Sequence, residues 1–261
     1  MDLGLTGRKA VVTGGSKGLG RAIAEELALA GTDVAICARN PDEVARAGAE
    51  LESHGTAVFA RPADVTNPEQ VTTFFEEAAE ALGGIDILVN NAGRAHPGTF
   101  ETLTDEDWKA DLDVKLFSMI RCSRAALPHM RARGGGRIIN INAVQAKSPD
   151  PKFFATSTDR AACLAFTKTL SLELAKDNIL VNGVNVGFIV TPQWENIHQK
   201  RSPELSREEF FALMAADEIP LGRFGEPHEV AAAVAFLAGE RAGYITGASL
   251  DVAGGMGRFL A

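Results

Sequence analysis

Short β-branched runs alternate with longer amphipathic ones along almost the whole chain, and this alternation restricts the fold more than any other feature. Lys9–Thr13, Asp33–Ala38, 57–61, 85–90, 137–141, 180–186 and Ser249–Val252 read as buried strands, being apolar on both faces. Between them, 19–30, 41–54, Pro68–Leu82, 105–133, 156–176 and Pro227–Ala238 carry helical spacing. Strand–helix alternation means right-handed crossovers, hence a parallel sheet covered by helices on both faces. The predicted fold is α/β: one doubly wound domain with a seven-stranded parallel sheet, spanning 1–261. Residues 192–225 break the rhythm. They are polar, with a short helix expected around 208–216, and read as an insertion that passes over the sheet.

Composition narrows the partners. The 261 residues are 46% hydrophobic, enough to bury the core of one such domain. The net charge of −8 comes without a basic cluster, so nucleic acid is not expected as a partner. No apolar run is long enough to span a membrane, and the first residues lack a secretory pattern, so a cytoplasmic location is expected. Cys37, Cys122 and Cys163 stand far apart, which argues against a disulfide framework and against a metal site.

The first strand runs directly into Thr13-Gly14-Gly15-Ser16-Lys17-Gly18-Leu19-Gly20 and then a helix. Glycines allow a tight turn and close approach of backbone to a pyrophosphate, and the helix start offers free N–H groups with a positive dipole end. Together with Asp64-Val65, Asn90-Asn91-Ala92-Gly93, Leu180-Val181-Asn182, Gly187-Phe188-Ile189-Val190-Thr191, the run Gly222 to Pro227, and Tyr244-Ile245-Thr246-Gly247 before Gly254-Gly255, this loop resembles the short-chain dehydrogenase/reductase family. The resemblance runs through essentially the whole chain. It implies a Rossmann fold that binds a nicotinamide dinucleotide and moves hydride between the nicotinamide and a carbonyl or alcohol carbon. By that pattern Gly14, Gly18 and Gly20 cradle the pyrophosphate, with Ser16, Lys17 and Leu19 of the same loop also at the cofactor. Asp64 and Val65 meet the adenine, Asn91, Ala92 and Gly93 line the adenosine side, and Thr191 reaches the nicotinamide carboxamide, with Gly187 and Ile189 as further cofactor contacts. The ribose beside the nicotinamide falls to Arg160.

The end of the second strand reads Ile36-Cys37-Ala38-Arg39-Asn40, with no acid to accept bonds from a free ribose 2′-hydroxyl. Arg39 and Lys17 are two cations on that side, suited to a 2′-phosphate, so NADP(H) is expected over NAD(H). The bland alternative is a pair of solvated surface charges.

The resemblance also implies an asparagine, a serine, a tyrosine and a lysine four residues after the tyrosine. The chain departs at all four. Register from Ala161-Ala162 puts Thr156 at the tyrosine site and Arg160 at the lysine site; Ala143 stands for the serine, after Asn142, and Lys115 for the asparagine. The lone tyrosine, Tyr244, is followed four residues later by Ala248, so no Tyr-x-x-x-Lys exists in the chain. A threonine hydroxyl titrates far above the phenol's reference of about 10, so Thr156 cannot replace tyrosine by simple exchange. Thr156 and Arg160, at i and i+4, share a helix face. Lys115, crowded by Arg160 and partly desolvated, is a candidate proton donor near neutrality. Alternatively both cations form structural pairs with Asp111, Asp113 or Asp159. His96, Phe153 and Trp194 are candidate substrate contacts on the loops that rim such a pocket.

Three functions follow: an NADP(H)-dependent oxidoreductase with an unusual proton donor, acting on a small carbonyl or alcohol or an activated C=C or C=N bond; a non-redox lyase that retains the nucleotide; or a catalytically silent subunit. The long helices at 105–133 and 156–176 resemble the family's dimer interface, which implies a homotetramer or homodimer.

Overall fold

In a computed structural model that describes residues 2–94 and 97–257, the seven strands lie in the order β3-β2-β1-β4-β5-β6-β7, every neighbouring pair parallel. They are β1 (Lys9–Thr13), β2 (Asp33–Ala38), β3 (Val58–Pro62), β4 (Ile87–Asn90), β5 (Gly136–Ala143), β6 (Ile179–Val186) and β7 (Ser249–Val252). The order reverses between β1 and β4, and the loops leaving these two strands open the crevice in which such sheets bind ligands.

Helices α1 (Gly18–Leu29), α2 (Pro41–Glu52) and α3 (Pro68–Leu82) follow the first three strands. Asn40 and Asn67 cap α2 and α3 by accepting from backbone N–H groups of the first turn, with Pro41 and Pro68 as first helical residues. One face of the sheet is covered by α1, α2 and a late helix, α9 (Pro227–Ala238), through Ile23, Leu27, Leu51, Val230 and Val234. The other face carries Phe74 and Phe75 of α3 with Cys122, Ala126 and Met130.

Two expectations need correction. The helix predicted at 105–133 is not continuous: α4 (Asp105–Leu112) and α5 (Ser118–Ala132) are joined by a π turn over Asp113–Phe117. The π turn changes the angular phase of the helix, and the residue at its centre, Lys115, points into the protein with no exposed surface. The segment after β6 holds two helices rather than one, α7 (Pro192–Arg201) and α8 (Arg207–Glu218). Helix α7 buries no residue fully, which leaves little apolar periodicity to read in its sequence.

Between β5 and β6, α6 (Phe154–Leu174) is fastened to the sheet by buried amides. Asn90 donates to Asn140 Oδ1 (2.8 Å) and to Ser123 (3.2 Å), and Asn140 donates to Thr167 Oγ1 (2.9 Å) on α6. Replacing Asn140 with Ala leaves a donor on Asn90 and an acceptor on Thr167 without partners in a dry interior. A loss of about 1–3 kcal/mol in urea denaturation is expected; an unchanged midpoint would show that water fills the gap at no cost.

Candidate active site

The glycine loop is shaped by contacts too close for any side chain. A Cβ on Gly20 would lie 2.2 Å from the carbonyl oxygen of Gly14 and 2.3 Å from Asn91 Nδ2. Gly14 and Gly18 have φ of +67° and +55°, the left-handed region. Asn91 donates to the carbonyls of Thr13 (2.9 Å) and Gly14 (3.2 Å), while Thr13 Oγ1 accepts from the N–H groups of Asn91 (3.0 Å) and Ala92 (3.1 Å). The side-chain amide of Asn91 is thus a brace between the β4 loop and the glycine loop.

After β3, Asp64 Oδ1 accepts from the backbone N–H (2.9 Å) and hydroxyl (2.8 Å) of Thr66, which holds the turn; Val65 is buried. Arg39 is exposed at the end of β2 and has no ion pair among the described residues. Lys17 is exposed too, but Glu43 of α2 meets it at 2.8 Å, and this contact holds the Glu43 carboxyl below its usual range. An acid therefore does stand near this corner, delivered by α2 rather than by β2. Beyond β6, a Cβ on Gly187 would lie 2.8 Å from Ala253 Cα, and the Thr191-Pro192 pair lies against Gly18. Ile189 is buried and bridged to Gly225.

Deeper in, α4, the π turn and α6 converge. Lys115 and Asp111 are 0% exposed, Asp159 1%, Thr156 6% and Arg160 9%. Lys115 Nζ donates to Asp111 Oδ2 and to Thr156 Oγ1, the latter at 2.8 Å. Lys115 on the π turn and Thr156 on α6 are thus in direct contact. Burial, then the positive charge of Arg160, lowers the Lys115 pKa from its ordinary value, against the opposing pull of Asp111. Arg160 Nη1 donates to the carbonyl of Ile141 (2.8 Å); its Nη2 stands 2.9 Å from where a Gly93 Cβ would be, and its Nε is buried without a partner.

Asn142 donates to the backbone carbonyl of Arg160 (3.1 Å) and so ties β5 to α6. Ala143 ends β5 and offers only a methyl group. Asp113, one of the three acids considered for the cations, pairs instead with Arg121 at 2.7 Å. Phe153 precedes α6 and is bridged to Gly98. Trp194 packs its ring on Phe188 (4.6 Å between centroids) and Phe224 (5.0 Å), within an apolar cluster that also holds Phe211, Ile219 and Met256. His96 lies outside the described residues. The remaining tyrosine, Tyr244, is fully exposed.

The Gly20 contacts yield a direct test. Gly20→Ala forces the loop and α1 apart, so nicotinamide dinucleotide affinity, measured by calorimetry, should drop at least about tenfold, about 1.4 kcal/mol. Affinity equal to that of the unaltered chain would mean that this loop does not approach the pyrophosphate.

A family model described as enoyl-(acyl carrier protein) reductase matches residues 14–257. The 3-oxoacyl-(acyl-carrier-protein) reductase of Aquifex aeolicus is 37% identical over 261 residues, covering 98% of this chain and all of that protein. L-sorbose reductase from Gluconobacter frateurii, solved with NADPH and L-sorbose, superimposes with a TM-score of 0.97 at 36% identity over all of both chains. A short chain oxidoreductase from Pseudomonas aeruginosa PAO1, solved as containing an atypical catalytic center, gives a TM-score of 0.94 at 38% identity, covering 98% of this chain and all of that one. With the sheet order, the glycine cradle and these matches in agreement, the chain belongs to the short-chain dehydrogenase/reductase family of oxidoreductases.

Proposed function

We propose that this chain is an NADP(H)-dependent reductase of a small carbonyl compound, in which Lys115 and Thr156 together deliver the proton that a tyrosine delivers elsewhere in the family. The observation that carries this reading is the 2.8 Å bond from Lys115 Nζ to Thr156 Oγ1, made by a cation with no exposed surface. Support for NADP(H) comes from exposed Arg39, from Lys17 in the glycine loop, and from the NADPH present in the solved structures of the sorbose reductase and of the Pseudomonas oxidoreductase.

In this reading the glycine loop and Asn91 shape the pyrophosphate seat, and Asp64 and Val65 flank the adenine. Arg160 presents its unpartnered Nε–H toward the ribose beside the nicotinamide. The cofactor, when bound, supplies the hydride. Thr156 presents its hydroxyl hydrogen to the substrate oxygen, and Lys115 donates to the same Oγ. A threonine alkoxide is too basic to form, so Oγ gives up one proton only as it receives another. Lys115 is suited to this because burial and Arg160 make its ammonium more acidic. The chain acts as one nucleotide-binding unit, with 192–225 as its substrate-side segment. A homodimer or homotetramer and a cytoplasmic setting belong to the same proposal. Among the described residues, no helix is long and apolar enough to cross a membrane.

The test is a panel of ketoses and 3-ketoacyl thioesters, following NADPH absorbance and product mass together. Consumption of NADPH matched by a product two hydrogens heavier is expected. Product formed with no absorbance change selects the lyase reading, and tight NADPH binding without turnover selects the silent subunit. Lys115→Met and Thr156→Val should each lower kcat by about 100-fold or more, the range for general acid catalysis. Arg39→Ala should weaken NADPH but not NADH, by about tenfold if a guanidinium–phosphate pair is lost.

A further inference from the structure

Behind Lys115 the cluster holds a second acid. Asp159, on α6 one residue before Arg160, is 1% exposed, and neither of its carboxyl oxygens meets an N–H or hydroxyl donor. Its acidic neighbour is Asp111, which accepts from Lys115. A carboxyl buried without a donor and facing a second acid is held in its protonated form. The charges acting on Asp159 are those of Asp111 from α4, Lys115 from the π turn and Arg160 from α6 itself.

We infer that Asp111 and Asp159 form a carboxyl pair that stores one proton at the inner end of the chain Asp159–Asp111–Lys115–Thr156, and that this store recharges Lys115 during reduction. The inference rests on the reductase reading above for its catalytic use, but the stored proton itself does not depend on it.

The step balances. The substrate carbon gains a hydride from the cofactor and its oxygen gains the Thr156 hydroxyl proton, which makes the alcohol. Thr156 Oγ regains a proton from Lys115 Nζ, and Lys115 regains one from the carboxyl pair through Asp111. The pair is left as two carboxylates until a proton from solvent reaches Asp159, the member of the pair that keeps a trace of exposed surface.

Geometry explains why a store is needed at this place. With no exposed surface, Lys115 has no direct route to water, and its partners are Thr156 on one side and Asp111 on the other. Burial first, then the bond to Asp111, raises the Asp159 carboxyl to about 7. At neutral pH the pair then exchanges its proton readily. An acid raised in the folded state favours folding at low pH, and that contribution is lost as pH rises from about 4 through 7.

Two measurements test the store. The first uses the intact protein without cofactor, labelled with ¹³C at aspartate side-chain carbons. A resonance from Asp159 should titrate near neutrality, and Asp159→Asn should abolish this step. A wild-type chain whose aspartates all titrate below pH 5 overturns the inference, whatever the enzyme does with substrates. Asp159→Asn keeps the shape but cannot store the proton. Its melting temperature relative to wild type should rise between pH 5 and pH 8; a difference independent of pH overturns the inference.

The second measurement applies to the turning-over enzyme. Asp159→Asn should lower kcat by about tenfold or more with KM unchanged, and remove the limb of the pH–rate profile that falls through neutrality. If kcat and that limb survive, the pair is structural and its role in recharging is excluded. Should no substrate be reduced by the unaltered chain, the reductase reading fails while the titration still decides whether the proton is stored.

Discussion

A lysine with no exposed surface, Lys115, sets the terms for the rest of the site. An ammonium taken out of water is very costly unless neighbours replace its hydration. Its partners here are Asp111 one turn earlier and the Thr156 hydroxyl across the helix contact. Arg160 lies close enough to make the ammonium more acidic, and the carboxyl of Asp159 completes the group. Where relatives of this fold use a phenol held near one lysine, this chain has assembled two cations, two acids and one hydroxyl. The π turn is the backbone device that admits Lys115 to this group, since it re-aims the helix over Asp113–Phe117.

The nucleotide end is governed by a different constraint, steric rather than electrostatic. Gly20, Gly14 and Asn91 approach one another so closely that a methyl group cannot enter. Asn91 closes the contact by donating to both Thr13 and Gly14, and Thr13 returns bonds to the β4 loop. The two loops at the switch point are therefore one hydrogen-bonded object. The buried amides of Asn90, Asn140 and Asn142 extend this bonding to α5 and α6, so that the glycine loop and the Lys115 cluster share one hydrogen-bonded frame.

Between the two ends the segment after β6 makes its own small core. Trp194, a candidate substrate contact, stacks there with Phe188 and Phe224. The same cluster includes Phe210 and Phe211 of α8. Aromatic residues spaced over 188–224 form a folded flap rather than a loose loop. Little of this was legible in advance, because α7 is polar on most of its surface and its aromatic anchor is a single tryptophan.

The strand–helix alternation and the glycine loop were enough to determine the sheet, its parallel crossovers and the nucleotide end, because periodicity and glycine sterics are local and survive without knowledge of contacts. The absence of Tyr-x-x-x-Lys was likewise a matter of counting. The ends of individual elements were near but not final: β3 runs over Val58–Pro62 rather than 57–61. Only the tertiary structure decided which of these residues touch. Lys115 and Thr156 are 41 residues apart in sequence yet share a hydrogen bond, a contact that sequence spacing does not reveal. Glu43 on Lys17 escaped a reading that looked for an acid at the end of β2 alone. The break at Asp113–Phe117 left no signature either, since a π turn and an α-helix accept the same residues. What separates them here is the placing of Lys115 against Asp111 and Thr156, contacts that exist only once α4 and α6 have packed together.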